Sequence, residues 1–156
     1  MVMQGSVKLA KVLAVTSGGG HWDEMMILAQ DLADLEIVYA NTFAGLGESA
    51  GIEKCYLVAE CNRDTPLSVL ACARDIWRIL TIERPGVIIS TGAAPGIIAI
   101  VLGRMRGCRT VWVDSVANSL KLSLSGRIAG SFAHVWLTQW EHLARRNGPY
   151  FWGSVL

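Results

Sequence analysis

The chain has 156 residues, with 14 lysines and arginines against 13 aspartates and glutamates, and 52% of it is Ala, Val, Ile, Leu, Met, Phe, Trp, Tyr or Cys. Near-neutral charge argues against a nucleic-acid partner held through phosphate neutralisation, and the length suits one domain, 1–156, with a real core but no room for a second. Counted with glycine and without tyrosine the apolar share is about 60%, against about 45–50% in ordinary soluble domains, so apolar surface is expected to remain for a partner protein or a membrane.

Lys8 and Lys11 precede "VLAV", a run too short for a signal-peptide core and better suited to a first strand that ends in "TSGGG". From His21 to Leu35 the apolar residues Met25, Leu28, Ala29 and Leu32 recur at helical spacing. "EIVYA" reads as a second strand, residues 41–53 as an irregular glycine-containing loop, and "KCYLVA" as a third strand. Pro66 opens a helix over 66–82 with Val69, Ala73, Ile76 and Leu80 on one face. "GVIIS" is a buried strand and "TGAAPG" a loop. "IIAIVLGRMRG" follows as a helix with Pro95 at its start and Gly107 at its end. "RTVWV" is a fifth strand, followed by a polar loop, a helix over 124–130, a sixth strand "HVWLT" and a short helix "WEHLARR". The tail 148–156, "GPYFWGSVL", is aromatic and apolar, as a partner-docking segment would be.

Strands that alternate with helices and are apolar throughout imply a Rossmann-like, doubly wound, mainly parallel α/β sheet of about six strands. The longest apolar stretch, Val87 to Leu102, is interrupted by "STGAAPG" and is too short to span a bilayer. Cys55, Cys61, Cys72 and Cys108 have no C-x-x-C pairing, which fits reduced, buried thiols in a cytosolic protein and no metal site.

In such a sheet the loops after the first and fourth strands flank the crevice where strand order reverses. Here those are "TSGGGH" and "STGAAPG", and both open helices whose free N–H groups stabilise an anion by roughly 0.3–1 kcal/mol per contact at an exposed site. A diphosphate lying across the two turns would account for the missing side chains. The first loop has Asp23 where a dinucleotide fingerprint needs glycine, and no G-K-[ST] follows it.

"SGGGHWDEM", "IISTGAAPG", "VWVDSVANSLKLSLSGR" and "LTQWEHL", in that order from about Lys8 to Leu143, resemble the membrane-associated subunits of two-component UDP-sugar glycosyltransferases. That family includes the acceptor-binding subunit of the eukaryotic dolichyl-diphosphate N-acetylglucosamine transferase and the bacterial glucuronosyltransferase subunits of polysaccharide biosynthesis. More distantly, the chain is similar to the amino-terminal half of the enzyme that makes the peptidoglycan lipid intermediate. The resemblance implies half of a GT-B enzyme, binding a polyprenyl-diphosphate-linked sugar while a separate subunit binds the UDP-sugar. It also implies inactivity alone, no cofactor, and a peripheral place on the cytoplasmic face of a membrane, since the sequence lacks the amino-terminal anchor of eukaryotic members. The rival reading is a non-catalytic Rossmann-like module that binds a nucleotide or serves as a scaffold.

Under that resemblance His21 is the best placed of three histidines to take or share a proton, and Asp114 is the second catalytic candidate, although relatives often carry glutamate there. Ser17, Gly18, Gly19, Gly20, Thr91, Gly92, Ala93, Ser115 and Asn118 are expected to hold acceptor or diphosphate. Arg74, Trp77 and Arg78 pair cations with an aromatic ring in the manner of a membrane contact, or are a solvated face with arginine stacked on tryptophan. Gln139, Trp140, Glu141, Tyr150, Phe151 and Trp152 are expected at the partner interface.

Overall fold

The computed structural model describes residues 10–155. Lys8, the rest of the first nine residues and Leu156 at the end of the tail lie outside them. Six strands form one sheet: β1 (Val12–Val15), β2 (Ile37–Asn41), β3 (Cys55–Leu57), β4 (Val87–Ser90), β5 (Arg109–Val113) and β6 (Val135–Leu137). Their spatial order is β3-β2-β1-β4-β5-β6, and every pairing is parallel. This is the Rossmann-like doubly wound arrangement, with the reversal of order between β1 and β4.

The strands are apolar on both sides because both faces are covered. Along β1, Leu13 and Val15 face one core cluster while Val12 and Ala14 face another, the period of two that a pleated strand imposes. The larger cluster receives α3 (Pro66–Glu83), α4 (Ala93–Met105) and α5 (Leu124–Ala129), through Cys72, Ile76, Leu80, Ala99, Ile100 and Ala129, over Trp112 and Ile88. The smaller one receives α1 (Gly20–Gln30) through Met25, with Met26 and Leu28 beside it.

The structure departs from the sequence expectation at several boundaries. A one-turn helix, α2 (Leu46–Ser49), lies in the segment expected to be irregular, opened by Gly45 in a left-handed conformation. α4 begins at Ala93 rather than after Pro95, which is tolerated in the first turn because the N–H it lacks has no partner there. "WEHLARR" is reduced to a 3-10 turn, Glu141–Leu143, consistent with the marginal stability of so short a helix. The tail does not hang free: Tyr150 pairs beside β6, its N–H donating to Trp136 O at 2.9 Å while Thr138 N–H donates to Tyr150 O at 2.9 Å. The backbone at Tyr150 therefore docks on this chain's own edge strand, while the side chains of Tyr150, Phe151 and Trp152 remain exposed. Cys61, Cys72 and Cys108 are buried free thiols, and Cys55 is half-buried.

At the amino edge of the sheet, away from the crevice, buried Glu83 ends α3 and gathers Lys11, Lys54 and Tyr56. Both ammonium groups lie 3.0 Å from Oε2, and the Tyr56 hydroxyl donates to Oε1 at 2.5 Å. Burial pushes the Glu83 carboxyl up, but these three donors outweigh it and hold it at about 2, below an ordinary 4.5. Because the folded value is the lower one, the stabilisation is complete above about pH 4.5 and is lost as pH falls toward 2. Glu83→Gln is expected to lower stability at pH 7 by about 1–3 kcal/mol. Urea melts of the two proteins should converge as the buffer is taken from pH 4.5 toward 2.5, and an unchanged gap would contradict the assignment.

Candidate active site

The turn that links β1 to α1 has Gly19 at φ +72°, a left-handed conformation that favours glycine, and no side chain caps the helix it opens. Gly19 and Gly20 are exposed, so the first N–H groups of α1 face solvent at the carboxyl edge of the sheet. The turn after β4 is different. Gly92, at φ +144°, is buried beneath the His21 ring, and a Cβ there would lie 2.4 Å from Cε1 and 2.5 Å from Nδ1. Ala93 follows at φ +66°, an uncommon conformation for a residue with a side chain, costing roughly 1 kcal/mol.

Two hydrogen bonds join the turns. Thr91 Oγ1 donates to His21 O at 2.6 Å, and His21 Nδ1 lies 3.1 Å from Thr91 O. A carbonyl oxygen only accepts, so Nδ1 carries a hydrogen in that bond and, in the neutral ring, the free lone pair is on Nε2. The two glycine-rich turns are thus neighbours at the β1–β4 seam, as the topology requires. They are not equivalent cradles: the start of α1 is open, and the start of α4 is screened by the imidazole.

A cavity of about 550 Å³ opens beside His21, lined by Gly20, His21, Asp23, Glu24 and Ile27 of α1 and by Ser115, Val116 and Ala117 after β5. Its floor is a network that sequence reasoning missed. Glu24 is 5% exposed and accepts from Ser115 Oγ at 2.5 Å, Val116 N–H at 3.3 Å and Gln139 Nε2 at 2.6 Å. Its nearest signal was positional: Glu24 is three residues past His21, on the same helical face.

This network relocates several expected residues. Gln139, 4% exposed, stands inside the chain, not at a surface: its amide donates to Glu24 and to Asp114 O, and its Oε1 accepts from Val155 N–H and Ser154 Oγ. Trp140 likewise turns inward, its indole donating to Val116 O at 2.7 Å, whereas Glu141 is exposed. Ser115 lines the cavity but directs its hydroxyl to Glu24, and Thr91 is fully buried with its hydroxyl on His21 O. Asp114 is 1% exposed with both oxygens engaged, Oδ1 by Trp112 Nε1 and Ser123 Oγ and Oδ2 by Ser123 N–H. Ser17 donates its hydroxyl to Gly18 O at 3.3 Å, Gly18 N–H is taken up by Thr42 Oγ1 at 3.3 Å and so is not free for an anion, and Asn118 N–H closes a turn onto Ser115 O. Arg74, Trp77 and Arg78 lie on α3, across the sheet from α1; the arginine on the Trp77 ring is Arg106, 4.6 Å from its centroid.

His134, at the head of β6, accepts from Thr110 N–H, and burial and nearby Arg104 and Arg109 push its imidazole down from the ordinary value. His142 bonds Ser119 O through Nε2. Among the described residues no group of three His, Cys, Asp or Glu side chains is placed to hold a metal ion.

Two substitutions separate these roles. Gly92→Ala puts a methyl group into the imidazole and is expected to cost about 2–4 kcal/mol. Gly20→Ala, which meets nothing within 4 Å, should stay within about 0.5 kcal/mol of the parent in the same denaturant melts.

The region 65–155, more than half of the chain, matches the family model described as oligosaccharide biosynthesis protein Alg14 like. The UDP-N-acetylglucosamine transferase subunit ALG14 of Eremothecium gossypii is 33% identical over 78 residues, covering 46% of this chain and 35% of that protein. The aligned region therefore spans about a third of that relative's length. Among solved structures, MurG of Acinetobacter baumannii matches with a TM-score of 0.71 and 13% identity over 93% of this chain and 44% of that one. A UDP-N-acetylglucosamine 2-epimerase of Rickettsia bellii matches at 0.67 with 14% identity, over 86% and 40%. The fold is accordingly that of one Rossmann-like portion of a GT-B protein, less than half the length of either. On the match across residues 65–155, the chain belongs to the Alg14-like family of oligosaccharide biosynthesis proteins.

Proposed function

We propose that the chain is the acceptor-binding subunit of a heteromeric glycosyltransferase that moves a sugar from a UDP-sugar to a polyprenyl-diphosphate-linked sugar in polysaccharide biosynthesis. In this reading it works on the cytoplasmic face of a membrane and brings the donor-binding subunit there. The observation that carries the proposal is the open, uncapped start of α1 beside a histidine fixed at Nδ1, bordering a cavity built from α1 and the segment after β5. Family membership supports it, as does the name of the fungal relative, which is a subunit of a UDP-N-acetylglucosamine transferase.

The roles follow from the chemistry. The diphosphate of the acceptor lies against the N–H groups at Gly19 and Gly20, since that of Gly18 already donates to Thr42 Oγ1 at 3.3 Å. An acceptor hydroxyl attacks the anomeric carbon of the donor, His21 Nε2 takes its proton, the new C–O bond forms, and the bond to UDP breaks with its electron pair leaving on the phosphate. Asp114 holds the 114–123 segment through Ser123 and Trp112 and acts on the acceptor only by position. Glu24 does the same for Ser115 and Val116. The exposed Tyr150, Phe151 and Trp152 together with Glu141 contribute to the face for the donor subunit, and Arg74, Trp77 and Arg78 to contact with the membrane.

The purified chain is expected to transfer no sugar alone, and to do so when co-purified with its donor-binding subunit and given a UDP-sugar and a polyprenyl-diphosphate-linked acceptor. His21→Ala should then lower kcat by roughly 10²–10⁴-fold while leaving the melting temperature within a few degrees. Full transfer by the single chain would overturn the split. A melting temperature raised by UDP alone, without partner or acceptor, would instead favour a nucleotide-binding module.

A further inference from the structure

Charge is nearly balanced over the chain but not over the fold. No lysine or arginine occurs between residues 12 and 53, and on and just after α1 the carboxylates Asp23, Asp31, Asp34 and Glu36 stand exposed. The other face of the sheet is the reverse. Arg74 and Arg78 on α3, Arg104 and Arg106 at the end of α4 and Arg127 on α5 are all exposed. The acids of those helices are Asp75, which pairs with Arg74 at 3.0 Å, and Glu83, which is buried.

Apolar side chains stand exposed on the same three helices: Leu67 at 80%, Leu70 and Trp77 on α3, Met105 at 73% on α4, and Leu124 and Ile128 on α5. Arg106 ties the patch together, its guanidinium over the Trp77 ring and its Nη1 donating to Thr81 Oγ1 at 3.2 Å. Arginine interleaved with leucine, isoleucine, methionine and tryptophan suits the headgroup zone of an anionic bilayer, where the cations meet lipid phosphate and the apolar tips enter the acyl boundary.

We propose that the whole α3–α4–α5 layer is the face that docks on an anionic membrane, and that the acidic α1 face points away from it. This rests on the reading that the chain works at a membrane, and it widens the contact from three residues of α3 to three helices, fixing the orientation of the sheet. The candidate site, at the carboxyl edge of the strands, then opens along the bilayer surface beside lipid headgroups. The occupant is a bilayer, not a protein partner, because its fit is set by a charge layer with one partly exposed acid, Asp75, already paired with Arg74, and Trp152 of the aromatic tail lies on the α1 side, sharing a cavity with Ile27, Leu28 and Asp31.

The test uses flotation of the full chain with phosphatidylcholine vesicles with and without phosphatidylglycerol. Arg104→Gln with Arg127→Gln touches neither α3 nor the site. Each exposed cation near an anionic surface contributes about five-fold, so the pair is expected to weaken partition onto the anionic vesicles by roughly 25-fold at unchanged melting temperature. An environment-sensitive fluorophore on Ile128→Cys should shift to the blue on those vesicles, and the same label on Asp31→Cys should not. Undiminished partition of the arginine pair, or a blue shift at position 31, would overturn the proposal. If only Arg74, Trp77 and Arg78 replaced together reduce binding, the small patch stands and the wider face falls; if neither set matters, both fall. Loss of the donor subunit with vesicle binding intact would make the layer a subunit interface and also overturn it.

Discussion

The reciprocal pair between His21 and Thr91 is the constraint on which the site depends. A doubly wound sheet brings the ends of β1 and β4 side by side, but it does not specify how the turns above them sit. Here one turn supplies an imidazole and a carbonyl, the other supplies a hydroxyl and a carbonyl, and Gly92 removes the side chain that would separate them. The consequence is chemical as well as mechanical, since a carbonyl at Nδ1 leaves the lone pair of the neutral ring on Nε2. For the role proposed for His21, a ring free to rotate would have to be ordered during each reaction; this one is ordered by folding.

Glu24 extends that ordering from the seam toward β6. Its carboxyl group links α1 to the segment after β5, and Gln139 links Glu24 in turn to the residues near the end of the chain, Ser154 and Val155. No lysine, arginine or histidine supplies the hydrogen bonds to Glu24; they come from a hydroxyl, a peptide N–H and an amide. Neutral donors in a buried setting satisfy the group without adding a positive charge next to a cavity meant, in the proposed reading, to receive an anion at its glycine turn. The tail and the cavity floor are thereby parts of one hydrogen-bonded unit, and what touches the tail is two residues from the site.

The strands and the seam were legible in the sequence because their signals are local. β-Branched runs, glycine turns and helical spacing identify six strands and the helices between them, and strand alternation leads to a parallel sheet. Gly18 to Gly20 and His21 were equally visible. What the sequence hid was the partner of each polar side chain. Glu24 meets Ser115 and Gln139 across 91 and 115 residues of chain, and no periodicity carries that information. For the same reason Gln139 and Trp140 read as interface residues when their side chains turn inward, and Asp114 read as a catalytic candidate when Trp112 and Ser123 engage both its oxygens. Only backbone-level features, such as the glycine at φ +72° that opens α1, project directly from residue type to conformation.

Under the proposed function, the same division gives this chain one part of the site and leaves the rest to a second subunit. Electrostatic stabilisation of a bound diphosphate is strong only where water is excluded and the dipoles are fixed in advance. The cavity beside His21 has its walls on α1 and after β5, both from this chain, and the matched GT-B protein MurG is more than twice the length of the portion aligned here. A fixed imidazole and an uncapped helix start gain most of their effect once a second protein surface displaces the solvent above them. The buried network beneath them needs no such partner, since its donors and acceptors are already matched within the chain. In the proposed reading, preorganisation is therefore built into this chain, and the step left to the second subunit is the exclusion of water.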